Sequence, residues 1–347
     1  MERSLIPPPH PIDEVDSVFV VASNMSTAGS TASALTENLQ GAEPDKKVFY
    51  VEMDSADETA NREKLWEQMD KGNDQGYTKP VILAAGGDGT AHYLGKNILH
   101  PDAPKYAASA LLTPWGLGHE NDLFASLHDP KMKGSVGILD HKNGHEIISY
   151  PLDVRAVIDD QLVEDIALAY VTLGPSADAA AVLASKRHRR FRQYFPHILH
   201  TLVDMTRAAP IVLGRPDVVY AKPDADRPQR PIVEVNFNNS ERMAGLGNYS
   251  CSTGLGDRAM HYAELRSNHP IEVVRFVARI AMGKPLGERT TGPVGLWFKK
   301  GGLHGQIEGE PICNKAGKLG AITAIVVKPG DKPIRYYATK KPRIQHK

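Results

Sequence analysis

From residue 17 the chain alternates between short apolar runs and longer segments with helical spacing. Ser17–Ser23 (SVFVVAS) reads as a buried strand, residues 30–40 as a helix, and Lys47–Met53 (KVFYVEM) as the next strand. Residues 57–71 carry helix formers, with Leu65 and Met69 at i, i+4 spacing. Residues 81–85 predict a third strand, 91–99 a helix and 107–113 a fourth strand. Strands separated by helices of this length predict βαβ units and a mostly parallel sheet. Ligands bind such sheets at the carboxyl ends of the strands. Residues 24–29, 54–56 (beginning with Asp54), 86–90 and 114–121 fall at those ends.

After about residue 140 the pattern changes. Residues 146–158, 162–173, 217–222, 231–238, 258–266, 293–298, 303–308 and 319–327 read as strands without regular intervening helices. Two helical stretches interrupt them, 176–208, bent or broken near Pro196, and 270–282. This predicts an α/β protein whose second domain is an antiparallel, sandwich-like structure with helical insertions. The expected division is a flexible segment over 1–16, an α/β domain over 17–140, a β-rich domain over 141–330, and a C-terminal strand with a basic tail over 331–347.

Composition narrows the class without naming a function. The 347 residues are 41% hydrophobic and 24% charged, ordinary values for a globular protein with a real core. Forty-one basic residues balance forty-one acidic ones, so no overall charge points to nucleic acid. Two cysteines, Cys251 and Cys313, argue against a disulfide scaffold and a cysteine-ligated zinc. The proline-rich start has no apolar signal core, and no run approaches 18 apolar residues. A cytoplasmic protein is expected.

The third strand leads into Gly86-Gly87-Asp88-Gly89-Thr90 and then a helical pattern. Glycines here let backbone N–H groups approach an anion, and a helix N-terminus adds partial positive charge. The same residues also suit a tight strand–helix turn with Asp88 or Thr90 as cap. Both readings stay open on local chemistry alone. No G-x-x-x-x-G-K-[ST], strand-linked G-x-G-x-x-G, H-E-x-x-H or G-x-S-x-G occurs, so this loop is the single phosphate candidate.

The glycine loop resembles the nucleotide-binding signature of the diacylglycerol kinase catalytic-domain family, which includes bacterial lipid kinases and sphingosine kinases and is distantly related to NAD kinases. Further matches follow in order along residues 17–312. FVVASNMSTAG (19–29) resembles the family's first strand and Asn-Pro-x-Ser-Gly loop, with Asn24 and Ser26 in matching places. LTPWGLGHENDLFASL (112–127) resembles its Pro-x-Gly-Thr-x-Asn-Asp-Phe segment, matching Pro114, Gly116, Asn121 and Asp122, with Gly118 nearby. AYVTLGPSADAAAV (169–182) resembles a Gly-x-Asp-Ala turn and places Asp178, while Tyr194 matches a tyrosine frequent in the following helix. GLGDRAM (254–260) resembles the Asp-Gly-Leu segment at Asp257, and IEGEP (307–311) the late Asp-Gly-Glu motif.

The resemblance implies an ATP-dependent kinase acting on a hydroxyl of a lipid or amphiphilic small molecule, with Mg²⁺. ATP would lie against the first domain and the acceptor in a cleft between domains. Glu310 would be the general base. Asp88 would sit beside the γ-phosphate, organising Mg²⁺ or assisting the nucleophile. Asp178 would lie near the acceptor hydroxyl, or alternatively serve only as an acidic residue at a helix N-terminus. Asp257, with the carbonyls of Gly254 and Ala259, would hold a structural Mg²⁺. A nonlipid metabolite or NAD-like nucleotide is the alternative acceptor, and a catalytically silent nucleotide- or lipid-binding protein the third reading.

Departures from the pattern bear on these expectations. Leu117 stands where the family's threonine hydroxyl meets the nucleotide, His119-Glu120 is a two-residue insertion, His92-Tyr93 replaces Asn-Glu, and Glu308 replaces the first aspartate of the late motif. The basic run 186–192 offers peripheral contact with anionic lipid, against a plain solvated helix face. His197 and His200, three apart, have metal-like spacing but read as core or surface histidines. Trp115 and Trp297 read as packing aromatics. A homodimer is compatible with all of this; a nucleic-acid partner is not expected.

Overall fold

A computed structural model of the chain describes residues 15–23, 28–54, 57–117, 121–139, 144–185, 203, 206–207, 210–211, 214, 217–223, 228–240, 258–281, 287–299 and 301–340. The described residues divide into two units. One runs to Tyr150 and resumes at Asp331; the other spans Pro151–Gly330.

In the first unit, β1 (Ser17–Ser23), α1 (Ala28–Ala42), β2 (Lys47–Met53), α2 (Glu58–Asp74), β3 (Pro80–Ala85) and α3 (Asp88–Leu99) follow the expected alternation. A short α4 (Lys105–Ser109), β4 (Leu111–Pro114), α5 (Asp122–Leu127) and β5 (His145–Ser149) complete the first passage. The sheet order is β2-β1-β3-β4-β18-β5, where β18 is Ile334–Ala338. All pairings are parallel except β18 with β5. Every residue of β3 is buried, which is why its sequence is a continuous apolar run. On one face Val18, Val20 and Ala22 pack with Ala32 and Leu39 of α1 and with Trp115 and Phe124. On the other, Phe19 stacks on Phe49 with centroids 4.7 Å apart, so tightly that a Cβ on Gly72 of α2 would lie 2.9 Å from the Phe19 ring.

Several elements differ from expectation for identifiable reasons. The stretch 107–113 is not one strand: Ala107–Ser109 belongs to α4, consistent with alanine's helix preference, and the strand begins at Leu111. The stretch 146–158 is cut at Pro151, which has no N–H to give a ladder. β5 stays in the first sheet, so the first unit reaches Tyr150 where 140 was expected, and residues 334–338, expected to stand apart, supply that sheet's β18.

The second unit carries β6 (Leu152–Ile158), β7 (Gln161–Ala167), β8 (Tyr170–Leu173), α6 (Pro175–Ala184), β9 (Val219–Lys222), β10 (Arg230–Ile232), β11 (Glu234–Asn238) and β12 (Met260–Leu265). Next come α7 (Pro270–Ala281), β13 (Glu288–Thr290), β14 (Val294–Phe298), β15 (Gly305–Ile307), β16 (Glu310–Pro311) and β17 (Ile322–Pro329). They form two antiparallel sheets, β10-β9-β14-β17-β6-β7 and β13-β12-β11-β8-β15-β16. Val154 and Ala156 of β6, Leu296 of β14 and Ile325 of β17 pack with Val171 of β8, Val235 and Phe237 of β11 and Met260 of β12 in one core. The expected sandwich is present. Two predicted strands, 162–173 and 231–238, each divide into a pair of strands lying in different sheets. The helical stretch predicted over 176–208 begins as α6; residues 186–202, including Pro196, Tyr194, His197, His200 and the basic run, lie outside the described residues. No helix among the described residues is long and apolar enough to cross a membrane.

Candidate functional site

Two clusters of candidate residues arise, one in each unit. In the first, parallel strands bring Asp54, the glycine loop and Gly116 to the carboxyl ends of β2, β3 and β4. Asn24, Ser26 and Gly118 fall outside the described residues. Asp54 is exposed, and its backbone is fastened by Asn61 of α2, whose Oδ1 accepts from Asp54 N at 2.8 Å.

The glycine loop turns from β3 into α3 with Gly87 as N-cap, and no side chain caps the helix. Thr90 N and Ala91 N donate to Gly87 O at 3.1 and 3.2 Å, closing the first turn of a twelve-residue helix whose N-terminus carries partial positive charge. Gly86 is required by packing, since a Cβ there would lie 2.1 Å from Thr90 Oγ1.

Asp88 is buried and turned toward α5. Its Oδ2 accepts from Asp122 N at 2.8 Å and its Oδ1 from Leu123 N at 3.2 Å. The carboxylate thus caps α5 in place of a local residue, and fastens the glycine loop to the segment carrying Asn121 and Asp122. Gly116 has φ +72, and a Cβ would meet the Phe124 ring at 3.0 Å. Leu117 packs against the core of this unit. That packing accounts for an apolar residue at this position.

Behind this edge, His128 is fully buried, with Nε2 2.8 Å from Thr113 Oγ1 and Nδ1 3.1 Å from Thr339 Oγ1. Burial, helped by His145, pushes its pKa down to about 3, so the ring is neutral. It joins β4, α5 and the residues following β18 into one support. Trp115, also fully buried, donates Nε1–H to Ser135 O at 2.8 Å and is a packing residue.

In the second unit, Gly174 at φ +110 turns β8 into α6, where any Cβ would lie 2.4 Å from Val233 O. Pro175 occupies the first helical position. Asp178 lies in the first turn, as one of its two readings expected, and its carboxylate also faces His304 Nδ1 at 2.5 Å. Glu234 of β11 accepts from Ser176 N at 3.0 Å. Burial, with the charge of Asp178 adding, pushes its pKa up to about 7 against the opposing pull of the Ser176 hydrogen bonds. Sequence reading missed His304 and Glu234, which no local motif marks. The visible signal was an acidic residue beginning an otherwise regular strand. A cavity of about 550 Å³ adjoins Asp178, lined by Ala181, Val182, Ser185, Arg207, Ile211 and Leu319.

The late motif forms a two-residue hairpin turn between β15 and β16. Glu308 (φ 52) and Gly309 (φ 87) are both left-handed, the pattern of a type I′ turn. Glu308 is buried and accepts from Ala169 N at 2.6 Å. Its carboxylate is a structural clasp. Glu310 is exposed, and no described residue hydrogen-bonds to its carboxylate. Of the three residues expected to hold a structural Mg²⁺, only Ala259 is described, and it is buried. Among the described residues, no three His, Cys, Asp or Glu side chains gather as a metal set.

No protein-family model matches the chain, and no curated protein matches it in sequence. Solved structures do. A diacylglycerol kinase from Bacillus anthracis str. Sterne superposes with a TM-score of 0.55 at 11% identity, over 93% of this chain and 97% of that one. A second structure from the same organism, described as a candidate diacylglycerol kinase, gives 0.57 at 13% identity over the same shares. The chain shares their fold over nearly its whole length, as the sequence resemblance implied.

Proposed function

We propose that the chain is an ATP-dependent phosphotransferase that moves the γ-phosphoryl group onto a hydroxyl of a lipid or other amphiphilic small molecule. The observation that carries this reading is the α3 N-terminus, which follows consecutive glycines at the carboxyl edge of a parallel sheet and has no side-chain cap. It is suited to the β- and γ-phosphates, with Asp54, Gly86, Gly87, Gly89, Thr90, Gly116, Gly118, Asn24, Ser26 and Asn121 as the surrounding contacts. Asp122 is a further contact in this reading, and Asp88, through its bonds to α5, positions the loop beside the γ-phosphate.

Phosphoryl transfer needs alignment and charge neutralisation more than covalent chemistry. In this reading Glu310 takes the proton from the acceptor hydroxyl, whose oxygen attacks the γ-phosphorus as ADP leaves. Asp178, held by His304, orients the hydroxyl. The largely apolar lining of the cavity beside Asp178 supports an amphiphilic acceptor. The described carboxylates do not fit a protein cage for Mg²⁺, so no step is assigned to one; bound to the triphosphate, the ion supplies charge neutralisation.

The test incubates purified protein with labelled ATP, Mg²⁺ and a mixed lipid and metabolite extract. A labelled product formed by wild type and lost in Glu310→Gln is expected. Absence of product with both proteins would sink the kinase reading. ATP binding undiminished in Gly87→Val would remove the phosphate loop from it.

A further inference from the structure

The sequence of β11, Glu-Val-Asn-Phe-Asn, alternates polar and apolar residues, the usual mark of a strand with one wet face. All five residues are nevertheless buried. Val235 and Phe237 enter the sandwich core, so Glu234, Asn236 and Asn238 lie on the other face. Cross-strand partners share a face, and the pairing extends this one sideways. Asn238 stands opposite His261 of β12, Asn236 opposite Thr172 of β8, and Thr172 opposite Gln306 of β15. The face is covered where Ala263 and Leu265 pack with Val273 and Phe276 of α7.

Asn236 and Asn238 are each 1% exposed, Gln306 3% and His261 6%. Among the described residues, Asn236 Oδ1 and Nδ2, Asn238 Nδ2, both ring nitrogens of His261 and Gln306 Oε1 have no hydrogen-bond partner. Native interiors rarely leave such groups unmatched. The orientations are fixed by the other ends: Asn238 Oδ1 accepts from Ser240 N at 2.8 Å, and Gln306 Nε2 donates to Thr172 Oγ1 at 2.8 Å. The six atoms are therefore a mixed set. Asn236 Nδ2 and Asn238 Nδ2 donate, Asn236 Oδ1 and Gln306 Oε1 accept, and a neutral imidazole offers one of each. Burial and the charge of Arg289 both favour that neutral ring.

A hydrocarbon chain would leave all six atoms unmatched. A phosphate, which mainly accepts, would leave the carbonyl oxygens facing an anion. Neighbouring hydroxyls both donate and accept, and match the set. We propose that this covered face of β8, β11, β12 and β15 binds an uncharged, polyhydroxylated head group, so that the acceptor is a polyol or a polyol-bearing amphiphile and not a single-hydroxyl lipid. The acceptor assignment rests on the kinase reading; the binding site itself does not. Glu234, two residues from Asn236 and hydrogen-bonded at the start of α6, connects the row to Asp178.

The test measures thermal unfolding of the full chain with myo-inositol, sorbitol or glucose, and separately with diacylglycerol in mixed micelles. It uses wild type, Asn236→Leu and His261→Leu. At a probe concentration ten times its Kd, a polyol is expected to raise the wild-type Tm by about 2 °C. Both variants should lose that shift, and Asn236→Leu should melt no lower than wild type without probe, because its unmatched atoms are gone. No shift with any polyol, a shift kept in both variants, or a shift with diacylglycerol alone would overturn the site. The wild-type shift needs no variant, so it still decides the matter if either variant fails to fold. ATP consumption is read in parallel. A polyol shift with no consumption on any probe sinks the kinase reading and leaves the site standing; consumption with lipid alone leaves the kinase reading standing and overturns the polyol acceptor.

Discussion

In the first unit the polar residues of interest stand at the ends of strands, whereas in the second they stand along the middle of one. β3 is apolar throughout and hands its chemistry to the Gly86–Thr90 turn after it. β11 carries Glu234, Asn236 and Asn238 within the strand, on a face the fold then covers. The first arrangement costs little, because loop backbone meets solvent or ligand freely. The second keeps polar groups in the interior, where each needs a partner. Sites of the first kind announce themselves as motifs; sites of the second kind show only as polar residues where packing would favour apolar ones.

The sharpest way to break this comparison separates binding from chemistry. Glu310→Gln should lower kcat by about 10²-fold or more, the usual range for a lost general base, with ATP affinity unchanged in a titration. An equal loss of affinity would mean that the two units do not divide the work as proposed. Next in size, Asp88→Ala should destabilise the protein by about 2–3 kcal/mol in denaturant unfolding, since it leaves two buried N–H groups of α5 unmatched. A change within error would show that the clasp is incidental.

The units also titrate in opposite directions. His128 is held neutral to about 3, while an unfolded imidazole takes a proton below about 6.5. Its contribution is complete above 6.5 and is lost as pH falls from there toward 3. Glu234 keeps its proton to about 7, while the unfolded carboxyl loses it near 4.5. Its contribution is complete below 4.5 and is lost as pH rises toward 7. Each limb has a limiting slope of about 1.4 kcal/mol per pH unit. Melting temperature followed from pH 4 to 8 should show His128→Gln flattening the acid side and Glu234→Gln the neutral side. If each variant flattens the other's limb, the assignments are reversed. Smallest is Gly116→Ala, expected to cost about 1–2 kcal/mol for a side chain at positive φ, measured by the same unfolding experiment.

How much of this was legible in the sequence follows from the same contrast. The alternation of 17–99 gave β1 to α3 closely, because buried parallel strands and amphipathic helices differ in period. The break at Pro151 had a visible signal, a proline with no N–H for the ladder, but those at Leu168-Ala169 and Val233 had none, because apolar residues run through them while the strands on either side enter different sheets. Within the sites, the glycine loop was visible as a motif, but the engagement of Asp88 with α5 was not, since its partners lie 34 and 35 residues away. The clasp of Glu308 to Ala169 spans 139 residues, and the Asp178–His304 pair 126. No local pattern encodes such distances.

The place of β18 has a consequence for synthesis. The first sheet is β2-β1-β3-β4-β18-β5, and β18 is made only after all of Pro151–Gly330. Until then β4 lacks its parallel neighbour and β5 has no partner in the sheet, leaving two unpaired strand edges. On the ribosome the sandwich, continuous in sequence, can close first. The unit with the glycine loop must wait for five residues made after the whole of the other unit, so a chain stalled or shortened before Ile334 would carry a closed sandwich together with an aggregation-prone, unfinished parallel sheet.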